Sequence, residues 1–451
     1  MNEYLFSRRH PEFRECENSW RHCAEAFQGG ADYINRSLIR HVSEIDIEFA
    51  ERRRRAYYFN YPRCIAERIT QYALALPPVR TGADPELVED WSRSGMRTNE
   101  VMRQLSTMLT VYGTVWLQAD SPSFSKPVSR SRAAAENLRP YIRILSPLDV
   151  TDWSVGSDGK LEWAIIQEDL WVNPDPCRPG ERVSALKLLT RGGWKLFLKD
   201  SSGIHAGGEG SLPGDELPLL RITLPGSCGH HWFEDAVRIS EAILNNESES
   251  QMNMVKQMFG LLVVSESFAR GVRPQNNGSG GTFAATVARS AAVIESVEEK
   301  GISRYITPSG VPGTLLRQEN EALKRELFDL TGLSIAAGSR EAQTAESKSW
   351  DFQNTSCFLA SRADMLEQCE RKGWEFLHNF DNSIPVPQVV YNREFKVREL
   401  EKSIAALLQL SALDAGEKFR ARVNSSAVEL LSGITPLPEE EKISLMNEFV
   451  S

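Results

Sequence analysis

The densest mixture of chemically capable side chains is Arg52-Arg53-Arg54-Arg55 followed by Ala56-Tyr57-Tyr58-Phe59-Asn60. Guanidinium groups contact phosphates and aromatic rings stack on bases, so the run could grip nucleic acid. Successive arginines, however, spread around about one turn of helix, and only some of them share a face. The favoured account pairs those with Glu48, Glu51 or another subunit and sets the tyrosines in the core. Cys16, His22, Cys23 and His230-His231 carry metal-ligating atoms, but their spacing matches no zinc pattern. Reduced thiols and surface imidazoles are expected there, with no metal and no cofactor. Carboxylates are abundant, yet nothing in their order sets two of them face to face for acid/base work.

Other reactive patterns are missing. The chain has no G-x-x-x-x-G-K-[ST], so it lacks the phosphate-cradling loop of a nucleotide-driven motor, and it has neither G-x-S-x-G nor H-E-x-x-H. Gly278 to Gly281 has no following Lys and reads as a loop. No enzymatic activity is expected. The 451 residues carry 52 Lys+Arg against 61 Asp+Glu, a net charge of −9, which excludes a protein that holds nucleic acid by bulk positive charge. The longest apolar run, Phe259 to Val264, is far short of the ~20 residues a membrane-spanning helix needs. The opening residues, Met1 to His10, lack an apolar leader core, and seven cysteines without C-x-x-C spacing fit reduced thiols. Synthesis and assembly in the cytoplasm are expected.

The elements that position these residues change character along the chain. Residues 1–40 are polar with scattered aromatics and read as an arm or a short helical lead-in. Ile45 to Leu76 has helical spacing broken at Asn60-Tyr61-Pro62, predicting two helices, and a third runs from an N-cap at Asn99 to Gly113. Short β-rich runs follow at 114–119, 141–145, 161–166, 183–189, 194–197 and 219–222, interrupted by a Ser-, Arg- and Ala-rich loop, Ser121 to Ala135. An antiparallel sheet entered from helices and left into helices makes the class α+β. From Phe233 to about Met258 the pattern is helical again, but Asn245 to Gln251 is polar on every side, so that stretch is expected to bury nothing within its own subunit. Leu261 to Pro312 combines strands at 261–264, 292–295 and 302–306 with a loop and a short helix near Ala284 to Arg289, and is too small to make a strong core alone. A helix with Leu316, Leu323, Leu327 and Leu330 follows. After it come a small-residue loop from Ala336 to Thr344, a long helix from Ala345 to Phe380, a strand from Val386 to Tyr391 and terminal helices from near Lys396.

In this order of elements the chain resembles the portal proteins of tailed bacteriophages, the ring through which DNA enters and leaves the capsid. The resemblance is carried by Arg54 to Asn60, by Tyr141 to Trp153, by the helix from Phe233 and by Tyr305 to Gly310. Glu341 to Ser347 and Tyr391-Asn392-Arg393-Glu394-Phe395 continue it. It implies an N-terminal arm (1–40), a wing (41–232), a first stem helix (233–260), a clip (261–312) and a second stem helix (313–334). A tunnel loop (335–344), a long wing helix with a strand (345–395) and a helical crown (396–451) complete it.

The same resemblance implies a homo-oligomeric ring, typically a dodecamer, at one capsid vertex of the virion, with double-stranded DNA in its channel. Terminase, a tail adaptor, the major capsid protein and scaffolding protein are the implied partners, and terminase supplies the ATP hydrolysis. Asn245, Glu247 and Glu249 would line the channel. Ser339, Arg340, Glu341 and Gln343 would form the tunnel-loop contact with DNA. Arg270, Arg273 and Asn276 would form the docking surface of the clip. Net acidity suits a duct in which DNA slides, because each phosphate neutralised adds affinity that must be broken at the next step. The alternatives are another ring-forming head or adaptor protein, and a DNA-processing enzyme such as a nuclease.

Overall fold

The computed structural model describes residues 2–122, 138–173, 176–177, 179–226, 231–258, 261–265, 292–295, 304–306, 311–330, 345–393, 395, 409–410 and 416–434. The chain divides into a large unit, residues 1–393, and a small one, residues 394–451.

The large unit begins with helices α1 (Asn2–Ser7), α2 (Pro11–Gln28), α3 (Ala31–Ser37), α4 (Asp46–Arg55) and α5 (Tyr61–Ala73). A short strand, β1 (Val79–Thr81), then precedes α6 (Pro85–Glu89) and α7 (Thr98–Tyr112). Their starts are written locally. The Asn60 side chain accepts from the Arg63 N–H at 2.9 Å with Pro62 in the first turn, and His10 caps α2 just ahead of Pro11. Gly113 ends α7 in the left-handed conformation, φ 72°, as a residue without Cβ can. The start of α7 differs from expectation. Arg97, not Asn99, is the cap position, because Glu100 reaches back to accept the Arg97 N–H at 3.1 Å.

Residues 2–37 are not an arm projecting from this unit. Phe13, Cys16, Trp20 and Cys23 recur at helical spacing on α2 and are all buried, as is Tyr33 on α3. Phe13, Cys16 and Trp20 share a core with Trp116, Leu145, Val150, Trp153 and Leu189 of the sheets. The polar majority of α2 hides a narrow apolar stripe, Phe13, Cys16 and Trp20, that packs into this core.

Eight strands follow: β2 (Thr114–Asp120), β3 (Tyr141–Leu145), β4 (Val150–Val155), β5 (Leu161–Val172), β6 (Glu181–Thr190), β7 (Gly193–Asp200), β8 (Gly203–Gly210) and β9 (Leu219–Thr223). They make a three-stranded antiparallel sheet, β3-β2-β9, and a five-stranded antiparallel meander, β4-β5-β6-β7-β8. β2 is buried over six of its seven residues because it is central in its sheet. β8 has the sequence Gly-Ile-His-Ala-Gly-Gly-Glu-Gly and no strand propensity of its own; pairing with β7 makes it a strand. Arg221 is held between Trp116 and Trp153, 5.7 and 4.9 Å from their ring centres, and also pairs with Glu12, locking α2 to both sheets.

A 27-residue helix, α8 (Trp232–Met258), leaves this body. It leads into β10 (Leu261–Ser265), β11 (Ala292–Glu295) and β12 (Arg304–Ile306), which pair in the order β11-β10-β12 with β10 and β11 parallel. Helix α9 (Val311–Leu330) returns. The 36-residue α10 (Ala345–Phe380) has the bounds its spacing predicts, and β13 (Gln388–Val390) closes the unit by pairing with β1. In the small unit, α11 (Glu417–Ile434) is the principal described element. The mixed helix and sheet content is that of an α+β protein. Among the described residues no helix is long and apolar enough to cross a membrane. The Ser121–Ala135 loop beyond residue 122, the short helix near Ala284 to Arg289 and the helix start near Lys396 lie outside the described residues.

Candidate functional site

The site expected on α8 is built from two halves of one helix. Phe233, Ala236, Val237, Ile243 and Leu244 are buried against the body at helical spacing. Beyond them the apolar stripe stops, and Asn245, Asn246, Glu247 and Ser248 occupy one turn. Successive residues point about 100° apart, so four polar side chains face four directions. Together they reach three different segments of the chain.

Asn245 donates to the Ser37 carbonyl at 3.0 Å and accepts from the Ile39 N–H at 2.9 Å, which fastens the chain after α3. Asn246 donates to Asn320 Oδ1 of α9 at 3.0 Å, and Asn320 in turn donates to Glu247 Oε1 at 3.0 Å. Ser248 accepts from Arg52 of α4 at 3.0 Å. The expectation that this stretch buries nothing in its own subunit is therefore corrected: Ser248, Ser250 and Asn320 are buried, and hydrogen bonds replace apolar contact there. Asn245 and Glu247 are half-buried and engaged, whereas Glu249 is exposed.

The pairing of α8 with α9 is antiparallel. Asn246 meets Asn320, and about two turns further on Asn253 meets Gly313, where a Cβ would lie 3.3 Å from the Asn253 amide. The two helices thus flank the β10–β12 module as its outgoing and returning limbs.

Arg52 is the best-connected member of the basic run. Its guanidinium is buried, bidentate to Glu44 at 2.8 and 2.7 Å, and bonded to the Ile39 carbonyl at 2.7 Å as well as to Ser248. Arg54 and Arg55 both pair with Glu51, as the ordinary account expects, while Arg52 pairs with Glu44 rather than with Glu48 or Glu51. Tyr58 is half-buried with its hydroxyl on the Ala26 carbonyl, but Tyr57 and Phe59 are exposed, so only part of the aromatic run is core.

One turn before the polar stretch, Glu241 Oε1 accepts from His22 Nε2 at 2.9 Å, Tyr33 Oη at 3.0 Å and Ser37 Oγ at 3.0 Å. This cluster lines a cavity of about 550 Å³ that also includes Arg36 and Arg238. The hydrogen bond to Glu241 raises the His22 pKa against the effect of burial. Burial opposes ionisation of Glu241, yet the bonds from His22, Ser37 and Tyr33 hold its pKa below the ordinary value. The thiol of Cys23 is pushed up to about 12 by burial and is a core group, as is Cys16. His231 hydrogen-bonds the Thr110 carbonyl at 2.7 Å. Among the described residues no three His, Cys, Asp or Glu side chains are placed to hold a metal ion.

Two buried charges on α10 carry no motif that sequence reasoning could find. Glu370 is fully buried and accepts from Arg80 at 2.5 and 3.0 Å, from Trp374 at 3.1 Å and from Tyr391 at 2.6 Å. It welds β1 and the chain after β13 onto the helix. Arg362 is also buried and donates to Thr110 Oγ1 at 3.2 Å, while its Nη1 has no partner among the described residues. Burial lowers its pKa to about 10. Ser339, Arg340, Glu341 and Gln343 lie outside the described residues, as do Arg270, Arg273, Asn276 and His230.

No family model matches the chain, and no curated protein does. Among solved structures, the neck of a native GTA particle computed with C12 symmetry is similar at a TM-score of 0.44 and 12% identity, over 80% of this chain and 88% of that one. The neck of an empty GTA particle computed with C6 symmetry is similar at a TM-score of 0.42 and 12% identity, with the same coverage. Likeness at that level decides neither family nor function.

Proposed function

We propose that this chain is a portal-type subunit of a tailed phage or phage-like particle. Identical copies form a ring at one capsid vertex, and DNA passes through it during filling and ejection. The observation that carries the reading is the limb arrangement: α8 and α9 run antiparallel, flank a small three-stranded module, and are joined by a polar seam. In this proposal they are the stem, residues 261–312 are the clip, residues 335–344 the tunnel loop and the small unit the crown. Glu249, exposed on the polar turn, is the stem residue free to face the channel. Net acidity keeps the passing duplex loosely held. ATP hydrolysis belongs to a separate terminase, which docks with the clip before a tail adaptor does.

Negative-stain images and mass photometry of the purified chain test the reading. Closed rings with a central hole are the expected result. A species that stays monomeric under every assembly condition would overturn it, and metal-dependent nuclease activity of such a monomer would favour an enzyme. Within the ring, Arg340 is proposed as the principal sliding contact; unchanged DNA packaging and retention in a phage carrying Arg340→Ala would count against that role. Deletion of residues 274–281 is expected to leave rings intact and block adaptor docking through Arg270, Arg273 and Asn276.

A further inference from the structure

The segment between α3 and the first turn of α4 exposes four aliphatic side chains among polar ones. Val42 is fully exposed, Ile47 is 79% exposed, Ile39 72% and Ile45 58%. Four aliphatic side chains within nine residues rarely face water together unless something covers them. The backbone beneath them is fastened in several ways. The Glu44 N–H closes a turn onto the His41 carbonyl at 3.0 Å, and the Arg40 guanidinium holds the Glu44 carbonyl at 2.7 Å and pairs with Asp46 at 2.8 Å. From below, buried Arg52 grips Glu44 and the Ile39 carbonyl, and Asn245 grips the Ile39 N–H. A buried cation is thus spent on fixing the shape of a surface loop, which lowers the ordering cost of binding.

From this geometry we infer that the loop 38–47 is a contact surface between copies of this chain, seated on the neighbouring subunit. Charge favours that occupant. Residues 38–55 carry five arginines and four carboxylates, a net of one positive charge, in a chain whose total is −9. A chain so acidic repels its own copies, and association is least opposed where the local charge reverses. One net positive charge, largely ion-paired, is too little to hold a phosphate backbone.

The chain also exposes a second, separate apolar surface. Val79 of β1 and Val390 of β13 stand directly opposite each other and both face solvent, as does Leu76 beside them. A ring of identical copies needs two different mating surfaces on each copy, and the β1–β13 face is, among the described residues, one exposed apolar surface separate from the loop.

The inference rests on the ring proposed above, and the test separates the two. The full-length protein is compared with an Ile39→Ser/Val42→Ser/Ile47→Ser variant by mass photometry over a concentration series. Because these side chains are exposed, the unfolding transition stays where it is, while the concentration for half-assembly rises about tenfold or more. A photo-crosslinking benzoyl-phenylalanine at Val42, irradiated with and without duplex DNA, identifies what the loop touches. Cross-links to another copy are expected. Rings that form equally well in the triple variant would overturn the inference and leave the ring standing. Cross-links to DNA alone would also overturn it. A two-copy complex joined through Val42, with no closed ring in any image, would keep the inference and end the ring.

Discussion

Buried Arg362 and half-buried His22 show how differently single charges are treated in this molecule. Arg362 sits in the core with, among the described residues, one hydrogen bond, to Thr110, and no partner for Nη1, and the Phe358 ring centre is 5.9 Å from its guanidinium carbon. An uncompensated buried charge costs several kcal/mol, so Arg362→Met, which keeps most of the volume, is expected to stabilise the fold by about 1–3 kcal/mol in urea unfolding. A loss of stability would mean that the guanidinium meets an anion in the folded chain. His22 is matched to Glu241, and folding raises its pKa. That contribution is complete below the ordinary imidazole pKa of 6.5 and fades as pH climbs through the raised value. Glu241 runs the opposite way: its pKa is held below 4.5, so its contribution is present at neutrality and lost on acidification. The melting temperatures of the wild type and His22→Ala should therefore differ most near pH 6 and converge toward pH 9. A gap that does not change with pH would count against the His22–Glu241 pairing.

At the scale of elements, the α8–α9 pair joins a polar seam to the apolar core that Leu327 shares with Ala236. Asn320 satisfies Asn246 and Glu247 at once, so Asn320→Ala should cost about 1–3 kcal/mol by leaving both partners unpaired in a buried seam. Glu249→Ala, one residue from the same seam but exposed, should change stability by less than about 0.5 kcal/mol. Equal effects would show that the seam is not structural. The β1–β13 pair lies over the buried Arg80–Glu370 ion pair. Arg80→Ala would strand Glu370 in the core and should cost about 3–5 kcal/mol, read as a fall in the denaturant midpoint. These partners were out of reach of sequence reasoning because Arg80 and Glu370 are 290 residues apart, and Asn246 and Asn320 are 74 apart. Neither pair has a spacing that local periodicity can register.

For the whole molecule, the sheet core around Trp116 and the core that α5, α8 and α9 share around Ile69 and Leu327 lie within residues 1–393. A chain ending at Arg393 should accordingly keep the cooperative unfolding transition of the large unit. Loss of that transition would show that the small unit is needed for the large one to fold. In a chain of net charge −9, added salt screens repulsion between copies, so assembly should strengthen from low to moderate ionic strength. The opposite trend would place attractive ion pairs at the centre of the copy-to-copy contact.

Much of this architecture was legible without coordinates. The sheet runs, the breaks at Asn60-Tyr61-Pro62 and Gly113, and the bounds of the 36-residue α10 follow from local periodicity, caps and turn residues, which act over one or two turns of chain. β8 did not, because a glycine-rich edge takes its conformation from the neighbouring strand. Nor did the role of α2, whose narrow apolar stripe is drowned by its polar residues until Trp116 and Trp153 are brought against it. The polar turn of α8 is the clearest case. From the sequence its four residues could only be solvated, packed on another chain, or not helical, since hydrogen-bond partners on α3, α4 and α9 are invisible to any local pattern. Local order was determined by short-range sterics and amphipathic spacing. The meaning of a polar residue was decided by which distant donor or acceptor the tertiary fold set beside it.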